Sequence, residues 1–250
     1  MNIKVVGAGG ISGHFLLALC LYLTTRSEEI KLVIIDGDDY EEKNKNHQFF
    51  TRLGNKAEVT VESLKSKFAP ESFPQLTIEA EASFVTEENV FVFIREGDIV
   101  FTPVDNHKTR KLISDHVTTL ANATLISGGN NLWDGDIQIF RRVNGQSLDP
   151  SLDEYHANIA NPTDRNPADL SCEERSAVGQ PQLICTNKMV ASWMLSAFMI
   201  LMEAGQGGGL QYNQLYVDLR TGKANGYLLA RRQNLAEGGS SGATTNSEPS

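Results

Sequence analysis

The residues most able to do chemistry begin at Gly7-Ala8-Gly9-Gly10-Ile11-Ser12-Gly13, which closes a short β-rich run and opens a helical one. Glycines there let the backbone approach a phosphate closely, and the free N–H groups and dipole of the helix start favour its negative charge. The third glycine of the usual G-x-G-x-x-G pattern is Ser12, with Gly13 one place late. Asp36 ends the next apolar run, where an acid hydrogen-bonds a ribose hydroxyl in dinucleotide-binding folds. These two features suit a nicotinamide dehydrogenase as well as an ATP enzyme. The residues that follow separate the two. Asp36-x-Asp38 leads through Tyr40-Glu41 to Asn44 and Gln48, and Lys56-Ala57-Glu58 opens a helix. Further on, Thr102-Pro103-Val104-Asp105-Asn106 ends a strand, and Arg110 lies one helical turn inside the next helix. Taken singly, Lys56 or Arg110 reads as a solvated helix charge, and Asp38 and Asp39 as caps of the following turn.

A sheet must hold these residues in place. Residues 2–6 and 30–35 (IKLVII) read as strands, the second a continuous apolar run but for Lys31, as in a parallel sheet buried on both faces. Residues 76–80, 98–102 and 123–127 read as three more. Helical spacing over 12–25, 55–68 and 106–120 places helices between them. The alternation predicts an α/β fold, a Rossmann-type doubly wound, mostly parallel sheet. Residues 136–143 alternate and predict an added antiparallel strand region, joined by strands at 214–219 and 226–231 around a turn at 220–224. Residues 144–169 show no period and predict a long functional loop. Residues 1–232 read as one domain, and 233–250, rich in Gly, Ser, Thr, Asn and Glu, as a disordered tail.

Composition narrows the class. The 250 residues carry 22 basic and 31 acidic side chains, a formal charge of −9, and 40% of them are apolar. That is enough apolar material for a sizeable core, and the acidic balance argues against a nucleic-acid or anionic-membrane partner. Phe15 to Leu23 imitates a signal peptide, but a glycine cluster precedes it and no small-residue cleavage site follows. The apolar stretch at 189–202, bounded by Lys188 and Glu203, is too short to span a bilayer and predicts a buried helix. Cys20, Cys172 and Cys185 are too few and too scattered for a disulfide framework or a four-thiolate zinc site, which points to a reducing cytoplasm.

In its ordered motifs the chain resembles the ThiF/MoeB/ubiquitin-activating (E1-like) superfamily. That pattern is a G-x-G-G-x-G turn, D-x-D…N-x-x-R-Q, a downstream K-A, and D-N-x-x-x-R; the match covers roughly residues 2 to 145. The resemblance implies binding of ATP and Mg²⁺ and adenylation of the C-terminal carboxylate of a small ubiquitin-like or sulfur-carrier protein, by a homodimer. It implies nucleotide contacts from Gly7, Gly9, Gly10, Asp38, Gln48 and Asn106, a ribose contact from Asp36, phosphate contacts from Asn44 and Lys56, and Mg²⁺ held by Asp105. The chemistry agrees with those roles. Attack of a carboxylate on the α-phosphate joins two anions, so the site needs fixed positive charge, and the leaving pyrophosphate needs a metal and a lysine. Two departures stand out. The family arginine falls on His47, a weaker and pH-dependent cation beside Lys45 and Arg52, and the chain begins at its first strand, so no preceding segment is expected to lend an arginine across a dimer. The paired C-x-x-C motifs of many relatives are missing, so no zinc is expected.

Cys172, in Ser171-Cys172-Glu173-Glu174, follows the long loop at a predicted helix start. A helix N-terminus favours thiolate and would suit thioester transfer from an activated carboxylate, although two neighbouring acids oppose it. Cys20 and Cys185 read as small core residues. His14, His107, His116 and His156 show no metal-ligand spacing and read as surface or satisfied side chains. The alternatives are an NAD-dependent Rossmann oxidoreductase and a degenerate E1-like protein that binds without catalysis.

Overall fold

The computed structural model of the protein describes residues 1–46, 48–170, 183–204 and 209–231. His47, Cys172 and residues 233–250 lie outside them. The strands are β1 (Asn2–Val6), β2 (Ile30–Ile35), β3 (Asp39–Tyr40), β4 (Gly54–Asn55), β5 (Leu76–Glu81) and β6 (Ile99–Thr102), then β7 (Ala123–Asn130), β8 (Asp134–Val143), β9 (Gln146–Ser147), β10 (Gln214–Asp218) and β11 (Lys223–Tyr227). The helices are α1 (Gly10–Leu23), α2 (Lys56–Lys65), α3 (Val90–Phe93), α4 (His107–Val117), α5 (Ala157–Ala160) and α6 (Ile184–Ala204).

Among the described residues the main sheet runs β11-β10-β8-β7-β6-β1-β2-β5. From β7 to β5 its neighbours are parallel, and β8, β10 and β11 extend it antiparallel. The chain lays down β1, β2 and β5 outward, then returns to the other side of β1 for β6. That reversal leaves a crevice at the carboxyl ends of β1 and β6, where open α/β sheets bind ligands.

Helices cover both faces because β1, β2, β6 and β7 are apolar on both. On one face Phe15 and Leu19 of α1, Leu64 of α2, and Met194 and Phe198 of α6 pack on Ile3, Val5 and Phe101. The rings of Phe15 and Phe198 lie 4.6 and 5.4 Å from that of Phe101, tying α1 and α6 to β6. On the other face Val90, Ile113, Val117 and Ile159 pack on Val100, Leu125 and Phe140. Each such side chain, fully buried, contributes about 1.5–3 kcal/mol.

Four expectations are corrected. The apolar helix starts at Ile184 and has 21 residues, so at about 31 Å it is long enough to cross a hydrocarbon layer. The boundary read at Lys188 does not end the helix: before it, Thr186 donates its hydroxyl to Leu132 O (2.9 Å), and Asn187 is fully buried. The inner face of α6, through Val190, Met194, Phe198 and Leu201, lies in the core. Second, Cys185 is exposed at the start of α6, whereas Cys20 is buried and burial pushes its thiol up to about 12. Third, the last strand is Lys223–Tyr227 rather than 226–231. The Asp218 carboxylate accepts from the backbone N–H groups of Arg220 (2.7 Å) and Thr221 (3.2 Å) and closes the turn early. Fourth, the stretch at 144–169 contains β9 and α5 and is anchored to β8. Both Asp149 oxygens accept from the Arg141 guanidinium, at 2.7 and 3.0 Å, and Asn213 Nδ2 also donates to Asp149 (3.1 Å).

Candidate active site

The glycine turn sits at the crevice. Gly7 has φ +100°, and a Cβ there would come within 2.9 Å of Val104 Cγ1, so β1 and the loop after β6 meet at van der Waals limits. Its N–H donates to Ile35 O (2.8 Å). Ser12, in place of the usual third glycine, is buried and donates its hydroxyl to Gly7 O (2.5 Å). It therefore braces the turn. Gly9 is the N-cap of α1; no side chain caps this helix, and a Cβ at Gly9 would have nothing within 4 Å. The helix start is thus open to an anion. Gly7→Ala is expected to cost about 1–2 kcal/mol for a left-handed backbone, plus the displacement of Val104. Thermal melting and ATP titration check it; an unchanged melt and affinity would mean that this approach is slack.

The opposite wall is built by Asp36, Asp38 and Lys56. Asp36 Oδ2 accepts from the Ala8 N–H (2.6 Å) and Oδ1 from the Asp38 N–H (2.8 Å), joining the glycine turn to the loop after β2. Burial pushes the Asp36 pKa up, against the pull of Lys56 and those two amides. Asn55 does the stitching. Its Oδ1 caps α2 through the Glu58 N–H (3.1 Å), while its Nδ2 donates to Asp36 O (2.9 Å) and Asp38 O (3.1 Å). This fixes Lys56, whose side chain is 12% exposed and whose Nζ lies 3.2 Å from Asp38 Oδ2. Burial opposes the Lys56 charge, but the Asp36 and Asp38 carboxylates outweigh it and raise its pKa, so the ammonium is retained. Asn55 escaped the sequence reading, although Asn followed three residues later by Glu is a helix-start signal.

Across the crevice lies the start of α4. Asp105 is exposed to the cavity and makes no hydrogen bond or ion pair among the described residues. Asn106 caps α4 by accepting from the Thr109 N–H (2.7 Å). Arg110 is buried, with Nε and Nη2 donating to Val104 O (3.0 and 2.8 Å) and Nη2 also to Gly128 O (2.9 Å), so it shapes the Asp105 loop. Asp164 accepts from the N–H groups of His107 (2.5 Å) and Lys108 (3.0 Å) at the same helix start. Asn166, also buried, donates to Val85 O (2.9 Å), so this part of the long loop is strapped over the site.

The structure brings Gly7, Gly9, Gly10, Asp36, Asp38, Gln48, Lys56, Asp105 and Asn106 around one cavity. Asn44 lies in an adjoining, larger cavity, where its Oδ1 accepts from the Glu41 N–H (2.8 Å). His107 and His156, read from the sequence as surface or satisfied side chains, also line that larger cavity, as does Asp136. His107 is no satisfied surface side chain: its Nδ1 is buried without a partner among the described residues, and burial lowers its pKa.

The chain is similar in sequence and in fold to known proteins. A curated relative, "Adenylyltransferase and sulfurtransferase UBA4" of Candida albicans, is 27% identical over 143 residues, 57% of this chain and 31% of that protein. The "Probable molybdopterin-synthase adenylyltransferase" of Porphyra purpurea is 26% identical over 178 residues, 71% of this chain and 43% of that protein. The chain thus spans less than half the length of these relatives. Among solved structures, Escherichia coli MccB with ATP superposes with a TM-score of 0.64 at 18% identity, covering 92% of this chain and 64% of that one, a likeness of fold. The ThiF family profile matches residues 1–225, and with its glycine turn, lysine wall and aspartate loop around one cavity, the chain belongs to the ThiF family.

Proposed function

We propose that the protein uses ATP to adenylate the C-terminal carboxylate of a small ubiquitin-like or sulfur-carrier protein. One observation carries this reading: an open helix N-terminus, a buried lysine held charged by two carboxylates, and an aspartate with no partner among the described residues line a single cavity. The donor set fits a nucleoside triphosphate. Gln48 Oε1 is buried with no partner among the described residues, as expected of a group waiting for a ligand.

In the proposed reaction an acyl carboxylate oxygen attacks the α-phosphorus, the bond to the β-phosphate oxygen breaks, and pyrophosphate leaves. The α1 amides and the Lys56 ammonium are in place before charge develops, which is where preorganised donors contribute most. Asp105 would hold Mg²⁺ with phosphate oxygens and waters as its other ligands, the usual arrangement for that ion. When bound, the metal would neutralise charge on the leaving group. Homodimerisation, thioester transfer to Cys172 and a cytoplasmic setting belong to the same proposal, supported by the family pattern and, for the last, by the free thiols of Cys20 and Cys185.

The test is ATP–pyrophosphate exchange with candidate carrier proteins bearing free C-termini, beside titrations with ATP and with NAD. Carrier-dependent exchange is expected. Saturable NAD binding without ATP binding would end the reading, and ATP binding without exchange would favour the non-catalytic alternative. Lys56→Gln is expected to slow exchange about 10²–10³-fold, the scale of losing one preorganised donor. A loss below threefold in a variant that melts normally would remove Lys56 from the chemistry.

A further inference from the structure

The glycine turn hides its acceptors and shows its donors. Three successive carbonyls are spent inside the fold: Gly7 O accepts from the Ser12 hydroxyl (2.5 Å), Ala8 O from the Tyr40 hydroxyl (3.1 Å) and Gly9 O from the Gly13 N–H (3.0 Å). In a trans peptide the C=O and the N–H that follows it point in opposite directions. Each of these bonds therefore aims the next N–H the other way. The Ala8 N–H is itself taken by Asp36 Oδ2 (2.6 Å), which pins the Gly7–Ala8 peptide at both ends. The N–H groups of Gly9 and Gly10 donate to no group among the described residues, and both glycines line the nucleotide cavity. Successive N–H groups turned to one side form an anion-binding concavity.

Of the three carbonyls, that of Ala8 is held from farthest along the chain. Tyr40 lies on β3, 32 residues away, and is 4% exposed. Its ring stacks on Phe50, with centroids 4.5 Å and planes 10° apart. Its oxygen also lies 3.1 Å from Thr60 Oγ1 on α2. Since the one Tyr40 proton goes to Ala8 O, Thr60 is the donor of that second bond. Burial pushes the Tyr40 pKa up, which keeps the phenol protonated. The result is a relay from Thr60 through Tyr40 to Ala8 O, buried bonds that polarise one another.

The peptide at the end of this relay is the one most free to turn. Gly9 puts no side chain in the way of its rotation, and a Cβ there would meet nothing within 4 Å. Rotated, that peptide would withdraw the Gly9 N–H from the cavity and set the partial negative charge of Ala8 O against a phosphate.

We propose that Tyr40, seated by Thr60 and Phe50, is a positioning residue for the reaction: its hydroxyl holds the Ala8–Gly9 peptide so that the Gly9 N–H faces the triphosphate. The inference rests on the adenylation reading and adds to it the group that orients the phosphate-binding turn. The test titrates the full chain calorimetrically with ATP and with adenosine, which shares the base and ribose but carries no phosphate. Tyr40→Phe keeps the ring on Phe50 and removes only the hydroxyl. It is expected to bind ATP about tenfold more weakly, the worth of one hydrogen bond to an anion, and adenosine as the parent does. Thr60→Val, which interrupts the relay one step back, should weaken ATP binding about threefold, the low end for a neutral hydrogen bond. Joined to Tyr40→Phe it should add nothing further, because both act through one bond. Unchanged ATP affinity in Tyr40→Phe, equal proportional losses of ATP and adenosine, or multiplying losses in the double variant overturns the assignment. A parent chain that binds no ATP would instead overturn the adenylation reading, and the assignment would fall with it.

Discussion

Asp105→Ala is expected to lower metal-dependent pyrophosphate exchange by about three orders of magnitude, since a metal ion supplies several kcal/mol of transition-state stabilisation. Its melting temperature should stay that of the parent chain. Both halves follow from one observation: Asp105 lines the cavity and makes no hydrogen bond or ion pair among the described residues. Removing it costs the fold nothing and costs the reaction its anchor for the metal. The same variant should still bind ATP in the absence of divalent ions, because the α1 start and Lys56 are untouched. Exchange kinetics with a Mg²⁺ titration, beside a calorimetric melt, decide the matter. Unchanged turnover would refute the metal assignment, and a lowered melt would show that Asp105 has a structural task.

Asp149→Ala should have the largest effect on stability. Asp149 and Arg141 are almost fully buried, with side-chain exposures of 1% and 8%, and the pair is bidentate. Truncating the acid leaves a guanidinium uncompensated in the interior, which costs about 3–5 kcal/mol. Native proteins are stable by only about 5–15 kcal/mol, so this is a large share. Urea melts should show a lower midpoint at an unchanged slope. Replacing both partners with apolar residues of similar volume should be much milder, because no charge is then stranded. If the single and double replacements melt alike, the pair does not carry the anchoring of the loop onto β8. Function should follow stability, since that anchored segment continues into the part of the chain that walls the cavity through Tyr155 and His156.

Much of the nucleotide side was legible in the residues themselves. The apolar run Ile30–Ile35 could only be an interior strand, and it ends where Asp36 must stand. Lys56 begins α2 as its Lys-Ala-Glu setting suggested, and Asp105 follows β6. Those features are local: periodicity reports which face of an element is apolar, and turn chemistry reports where it ends. Ser12 shows the limit of a motif, since its role as a brace for Gly7 O depends on geometry that the pattern does not encode.

What the amino-acid order determined alone, then, is the alternation of strands and helices, the reversal that opens a crevice beside the glycine turn, and the kinds of charge facing it. The tertiary structure decided which distant groups meet there. Asp164 reaches the start of α4 from 57 residues away and Asn166 reaches Val85 from 81, and no local propensity foretells such pairs. The same holds for Asp136, whose surroundings come from β7, β10, α4 and the long loop together. The physical reason is that hydrophobic patterning specifies burial without specifying partners, whereas a polar group's energy depends on which donors or acceptors the folded chain brings within about 3 Å.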